Sequence, residues 1–182
     1  QLPGNQDLLD SQYDMVAGRW PQQYNEVVLV VDENNEIDDY TLYSLGFKDP
    51  DEVTAMYKRM MTGETYDTEE TEYTYDEILD KKFQMILPTD YYRYNAEKDI
   101  WEDETYMKNV VDNGTQIQVC GIIRQKEDAV NTAIRSGVGY TKELMQYLMQ
   151  GVNDSEVAKA QLADETTDIF TGIPFDNDKD TP

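Results

Sequence analysis

Histidine is absent from this 182-residue chain, cysteine occurs once, and fifteen lysines and arginines stand against 38 aspartates and glutamates. Each scarcity excludes something. Without histidine there is no Ser-His-Asp or Cys-His constellation and no imidazole ligand for zinc. One cysteine allows neither an intramolecular disulfide nor an all-thiolate metal site. The formal net charge of −23 opposes sequence-independent binding to DNA or RNA, which needs basic side chains against phosphates, so no nucleic acid is expected as a partner. The longest continuous apolar run, 27–31, falls far short of the about 20 residues that span a bilayer. The opening Gln1-Leu2-Pro3-Gly4 has no Met, no basic side chain and no apolar stretch, so it does not read as a signal peptide; the start without Met suggests a processed or excised fragment.

What is present argues for a folded chain. High charge and low mean hydropathy point toward disorder, but 39% of the residues are apolar, and the twenty aromatic side chains fall within patterned segments. The length suits one domain or a two-lobed one. Cys120, in Gln118-Val119-Cys120-Gly121-Ile122-Ile123, reads as a small buried residue on a strand. A chain without disulfides fits the cytosol and equally an exported domain whose core needs no staple, so cysteine usage leaves the compartment open.

Residues 1–12 read as a polar lead-in and 13–175 as the domain proper, with an acidic loop at 64–77 and a polar tail at 176–182. Asp14 to Trp20 is a short strand stopped by Pro21. The run 26–32, β-branched and continuously apolar over 27–31, predicts a strand buried on both faces. Asp38 or Asp39 can cap a helix with Leu42, Leu45 and Tyr43 inward, closed by Gly46. A second helix opens at Pro50, places Val53, Met56, Tyr57 and Met60 on one face, and ends at Gly63. Strands are expected at 83–88, 91–95, 100–102 and 115–124, a short helix at 106–111, and an extended stretch at 130–134. Thr141 caps a helix over 142–150, with Leu144, Tyr147 and Leu148 inward, and another follows over 155–163. Strands and helices are mixed without a repeat. The fold class expected is therefore α+β, a mixed sheet with several short helices.

Candidate chemistry is sparse. Carboxylates are so abundant that a pair is guaranteed, which makes the pattern uninformative. Tyr91, Tyr92, Tyr94 and Trp101 beside Glu102 and Asp103 could imitate a glycosidase cleft, but a β-hairpin with cross-strand aromatic packing accounts for them more simply. The run 32–36 begins like a calcium loop, then has Ile37 where the turn needs Gly and Tyr43 where a bidentate Glu belongs. Asp176, Asp178 and Asp180 read as solvated acids. Gly137-Val138-Gly139-Tyr140 before a helix suggests a phosphate cradle only weakly. Asn113 and Asn153 open glycosylation acceptor triplets that matter only in a eukaryotic secretory setting.

An ordered set of phrases is more specific. Val16-Ala17-Gly18-Arg19-Trp20-Pro21, then Asn25-Glu26-Val27-Val28-Leu29-Val30, then Tyr40-Thr41-Leu42-Tyr43-Ser44-Leu45-Gly46 resembles the extracellular core domain of FtsX/MacB-type ABC transporter permeases. In that family a Gly-Arg-aromatic strand leads to a Glu-Val-Val strand and a short helix, and a later strand ends in Val-x-Gly-Ile/Val. Val119-Cys120-Gly121-Ile122 looks like that ending. The phrases Leu87-Pro88-Thr89-Asp90-Tyr91-Tyr92, Gly139-Tyr140-Thr141-Lys142-Glu143-Leu144 and Asp168-Ile169-Phe170-Thr171-Gly172 are similar to the large-ectodomain branch in Gram-positive, clostridia-like bacteria. The likeness runs in order over about residues 9–175.

The resemblance implies a MacB-like periplasmic core fold, in one body or two lobes, held at the extracellular face of the cell membrane as the soluble part of a membrane protein. It implies no catalysis in this domain, and no catalytic, cofactor or metal residue carries over. The implied partners are transmembrane helices of the same permease and a cytoplasmic ATPase subunit, with a peptide, lipid-linked or protein cargo outside. The family's transmembrane helices are the departure, since nothing in this chain matches them. Arg19 is expected over the ring of Trp20 at a sheet edge. Tyr91, Tyr92, Tyr94 and Trp101 are the partner-contact candidates, because aromatics give large contact area at low entropic cost. The alternative is a free cell-surface module binding glycan or protein; a carboxylate-pair hydrolase ranks third.

Overall fold

A computed structural model describes residues 1–63, 71–103 and 107–175, apart from the side chains at 50, 53, 56, 60 and 107. The chain divides into two compact units, Gln1–Phe83 with Gln116–Met145 (unit 1) and Gln84–Thr115 with Gln146–Pro182 (unit 2). The architecture is mixed α+β.

Unit 1 is organised on a five-stranded mixed sheet. β1 (Tyr13–Gly18), β2 (Glu26–Val31), β3 (Lys82–Met85), β6 (Thr115–Gln125) and β7 (Gly137–Tyr140) contribute, in the order β1-β6-β2-β7 with β3 also paired to β6. β6 runs parallel to β2 and antiparallel to β1, while β7 closes antiparallel on β2. Every residue of β2 is buried, as its unbroken apolar run requires. Its alternate residues serve two cores. Val28 and Val30 pack with Leu2, Leu9, Tyr13, Cys120 and Ile123 on one face. On the other face Val31 lies with Ile122, Leu42 and Ile78 around a common depression. A fully buried Val or Leu contributes about 1.5–3 kcal/mol and a helix cap about 1 kcal/mol, so this central strand outweighs the caps around it.

The stretch 1–12, expected as a polar lead-in outside the domain, belongs to the first core. Asn5 accepts from the N–H groups of Asp7 and Leu8 and starts α1 (Gln6–Gln12). Leu9 is buried, and Leu2 is buried with its N–H donated to the carbonyl of Tyr140. Three leucines in a polar stretch, Leu2, Leu8 and Leu9, of which Leu8 is exposed, are too few to reveal a helical period, and the neighbouring sheet supplies what the pattern lacks.

The helices over the other face follow their caps. Asp38 accepts from Thr41 N–H at 2.8 Å and opens α2 (Asp39–Ser44). α2 closes in a Schellman motif: Phe47 N–H reaches Leu42 C=O and Gly46 N–H reaches Tyr43 C=O, with Gly46 at φ +74°. Leu42 and Leu45 are buried, but Tyr43 is exposed. Asp49 caps α3 (Pro50–Thr62), which ends at Gly63 with φ +73°. Tyr57 on α3 is half-exposed, and the expected inward side chains of Val53, Met56 and Met60 lie outside the described residues.

Several expectations need correction. Of the acidic loop expected at 64–77, residues 64–70 lie outside the described residues and 75–77 are helical. Thr74 and Glu77 form a capping box that starts α4 (Tyr75–Leu79), whose Ile78 is buried. The stretch 130–134 is irregular, and Gly137–Tyr140 is the strand β7 rather than a phosphate loop. Gly139 is needed there because a Cβ would lie 2.7 Å from Val28 Cγ2 and 3.0 Å from Leu2 Cδ2. The polar tail at 176–182 lies outside the described residues.

The Gly-Arg and Cys-Gly phrases meet at one place in unit 1. Gly18, at φ +74°, pairs with Gly121, and Arg19 N–H donates to Cys120 C=O at 2.9 Å. β6 carries one extra residue against β2 here, since Val27 faces Val119 while Val28 faces Gly121. The expected stacking of Arg19 on Trp20 is replaced by a fork on Glu26. Arg19 Nη1 reaches Glu26 Oε2 at 2.8 Å and Nη2 reaches Oε1 at 2.5 Å. The Trp20 ring instead meets Tyr13 edge-on. Gln22 and Gln23 N–H groups complete the shell of Glu26, whose carboxyl is lowered to about 2, first by Arg19 and against its own burial. Cys120 is buried as expected, with its thiol pushed up to about 11 by desolvation.

Unit 2 holds a two-stranded antiparallel sheet and helical segments. β4 (Tyr92–Asn95) pairs with β5 (Ile100–Asp103), and α5 (Met107–Asp112) follows, Tyr106 lying outside the described residues. α6 (Lys142–Asp154), capped by Thr141 Oγ1 on Leu144 N–H, begins in unit 1 and continues into unit 2. Leu144 is buried, Leu148 half-buried and Tyr147 exposed. Ser155 then caps α7 (Glu156–Ala163) through Ala158 N–H. Among the described residues no helix is long and apolar enough to cross a membrane.

Candidate functional site

The four aromatic candidates do not form one group. Tyr91 ends a 3-10 turn, Pro88–Tyr91, in which Asp90 accepts from Leu87 N–H at 2.8 Å. Tyr92, Tyr94 and Trp101 lie on the hairpin. The register pairs Tyr92 with Asp103 and Tyr94 with Trp101. Side chains alternate along each strand, so Tyr92, Tyr94, Trp101 and Asp103 share one face, while Arg93, Asn95, Ile100 and Glu102 share the other. Tyr94 and Trp101 rings sit 5.6 Å apart at 53°.

The turn at 96–99 fixes that pairing. Asn95 Oδ1 accepts from the N–H groups of Glu97 and Lys98, and Asp99 takes the left-handed conformation at φ +55°. The Tyr94 hydroxyl donates to the Asp99 carboxylate, which raises the phenol's pKa. Glu102 on the opposite face accepts from Lys98 at 2.7 Å and Asn95 at 2.9 Å, and these partners hold its carboxyl below the usual range, Lys98 foremost. Glu102 and Asp103 therefore point to opposite faces of β5. A glycosidase needs two carboxyls facing one cleft, and this pair does not provide them.

A fourth ring joins the face from a distant stretch of chain. Phe170 packs on Tyr92 with centroids 4.7 Å apart. It is held by a turn after α7, in which Asp168 Oδ1 accepts from Phe170 N–H and Oδ2 from the Thr171 hydroxyl. Gly172, at φ +67°, donates its N–H to Asp168 C=O, and Thr167 bridges to Pro174. Gln161 ties the turn to α7 by donating to the carbonyls of Asp164 and Thr167 and accepting from Ile169 N–H. These bonds leave Phe170 44% exposed beside Tyr94 at 49%, with Ile173 and Phe175 exposed nearby in sequence. The hairpin aromatics were readable from sequence. Phe170 was not, although Asp168, Thr171 and Gly172 do mark a tight turn that could present it.

Unit 1 offers a different concavity, an open depression of about 850 Å³ floored by Val31, Leu42, Ile78 and Ile122. Lys48 on its rim is engaged by Asp39 at 2.5 Å. The calcium-like run is consumed locally, for Asp32 Oδ1 accepts from the N–H groups of Asn34 and Glu36. Among the described residues no group of three His, Cys, Asp or Glu side chains is placed to hold a metal ion. The aromatic face of unit 2 is thus where paired rings and exposed apolar area coincide. No protein-family model, curated protein or solved structure matches this chain.

Proposed function

We propose that this chain is the extracellular domain of an FtsX/MacB-type ABC transporter permease, a non-catalytic module that contacts cargo or a partner and passes on movement driven by ATP hydrolysis in the cytoplasm. The observation that carries the contact role is the half-exposed aromatic face of unit 2, where Tyr94 over Trp101 and Tyr92 against Phe170 form two adjoining ring pairs. Rings fixed by a hairpin register and a hydrogen-bonded turn offer apolar area without losing much side-chain freedom on binding.

The transport setting comes from the resemblance of the ordered phrases. Two of its pieces, Gly18-Arg19 and Cys120-Gly121, lie together in unit 1 and do architectural work there. Such a module needs a firm body and a separate surface for contact, and the two units divide along those lines. The partners on this reading are the permease's own transmembrane helices, a cytoplasmic ATPase subunit, and a peptide, lipid-linked or protein cargo at the outer face of the membrane.

Reading the complete open reading frame around Gln1 and Pro182 tests the setting. Apolar segments of about 20 residues on both sides, with an ATPase gene adjacent, support it. A stop codon directly after Pro182, behind a cleavable leader alone, overturns it in favour of a free cell-surface module for glycan or protein.

A further inference from the structure

We infer that the aromatic face of unit 2 is a docking surface for an extended cationic peptide segment. The segment's Lys or Arg side chains would lie over Tyr94 and Trp101 and meet the carboxylates of Asp99 and Asp103. The inference rests on reading this face as the contact surface, and it is independent of whether a permease carries it.

Three observations define the occupant. The first is the rings: Tyr94 with Trp101 at 5.6 Å and Tyr92 with Phe170 at 4.7 Å, with Tyr94 and Phe170 nearly half exposed. Ring faces in this setting attract guanidinium and ammonium groups as well as apolar surface. The second is the sorting of charge across the hairpin. Asp103 lies opposite Tyr92 in register and Asp99 holds the Tyr94 hydroxyl, both on the aromatic side. The hairpin's cations lie elsewhere: Lys98 reaches over to Glu102, and Arg93 is registered with Glu102 on the opposite face. The third is the field of the whole chain, −23 at pH 7, which draws a cationic segment in and gives a neutral ligand no advantage. A glycan could stack on the same rings, but it would leave the sorted charge without a role.

The test uses the full 182-residue chain with Trp20→Phe, so that Trp101 is the sole tryptophan and reports on the face. The probe is a capped decapeptide of alternating Arg and Gly, and the controls are its Gln-Gly counterpart and chitohexaose. The expected result is a saturable change in Trp101 emission with the Arg-Gly peptide and none with the Gln-Gly peptide. Asp103→Asn should weaken binding at least fivefold, and Asp103→Asn with Tyr94→Ser at least tenfold. Far-UV circular dichroism checks that each variant is folded; Asp103→Asn, which keeps every ring, tests the face should the double variant unfold.

Glu52→Gln, an equal loss of charge on α3 of unit 1, should leave the affinity within twofold. Equal weakening by Glu52→Gln and Asp103→Asn would mean a diffuse field and no site, which overturns the inference. So would a Trp101 response to chitohexaose without one to the Arg-Gly peptide, or no saturable response to the peptide. If the peptide fails while apolar spans flank the reading frame, this occupant falls and the permease reading stands.

Discussion

Unit 1 and unit 2 spend their apolar residues in opposite ways. Of nineteen buried apolar residues among those described, seventeen lie in unit 1, and Val110 and Val157 alone lie in unit 2. Of eighteen large apolar residues left exposed, ten lie in unit 2, the shorter of the two. Unit 1 wraps both faces of a five-stranded sheet, whereas unit 2 is built around a hairpin with one aromatic face open to solvent. A two-stranded sheet cannot bury much of its own surface, so its side chains are available for contact. Burial is thereby concentrated in one part of the chain and exposed apolar surface in the other.

Truncation in the sheet should break that comparison most severely. Ile122→Ala removes a fully buried side chain next to the central strand and should cost about 2–5 kcal/mol in urea unfolding, with Val157→Ala in unit 2 costing clearly less. Equal costs would mean that unit 2 carries a core of its own. Native-state hydrogen exchange reads the same difference without mutation: amides of β4 and β5 should exchange well before those of β2 and the middle of β6.

The buried carboxylate of Glu26 gives unit 1 a pH signature. Its pKa is depressed in the folded chain, from 4.5 to about 2, so the stability it contributes is complete above about pH 4.5 and is lost as pH falls toward 2. The linked amount is about 3 kcal/mol. Glu26→Gln should flatten that part of the stability profile; an unchanged acid limb would locate the acid sensitivity elsewhere.

Smaller effects sharpen the contrast. Gly139→Ala forces a methyl group against Val28 and Leu2 and should cost about 1–3 kcal/mol, read as a lower thermal midpoint. Phe170→Ser on the open face of unit 2 and Ile173→Ser at the exposed position three residues on should each change stability by no more than about 0.5 kcal/mol, while Phe170→Ser alters the environment of Tyr92. A large loss from Phe170→Ser would make this face a core.

Local signals carried far in this chain. The unbroken run at 27–31 announced a strand covered on both sides, Asp38 with Gly46 bounded α2, Thr141 opened α6, and the spacing of Tyr94 and Trp101 foreshadowed the hairpin. Elements that depend on distant neighbours were not readable. Leu2 and Leu9 become core residues because Val28, Val30 and Cys120 are there to receive them. Gly137–Tyr140 looks like a loop until β2 supplies its hydrogen-bond partners, and the bareness of Gly139 then becomes a packing requirement. Phe170 belongs to the aromatic face only because its turn packs on Tyr92, 78 residues earlier in the sequence.

The chain's order of residues was enough to settle its charge, its lack of histidine chemistry, its α+β character and the caps and turns that bound most elements, since these depend on residue type and on neighbours within a few positions. Tertiary structure alone decided that Arg19 answers Glu26 instead of Trp20, that Glu102 and Asp103 turn away from each other, and that one aromatic face stays open. Those outcomes depend on strand register and on which distant side chains arrive, and a single residue's shift in register would exchange the faces of the hairpin.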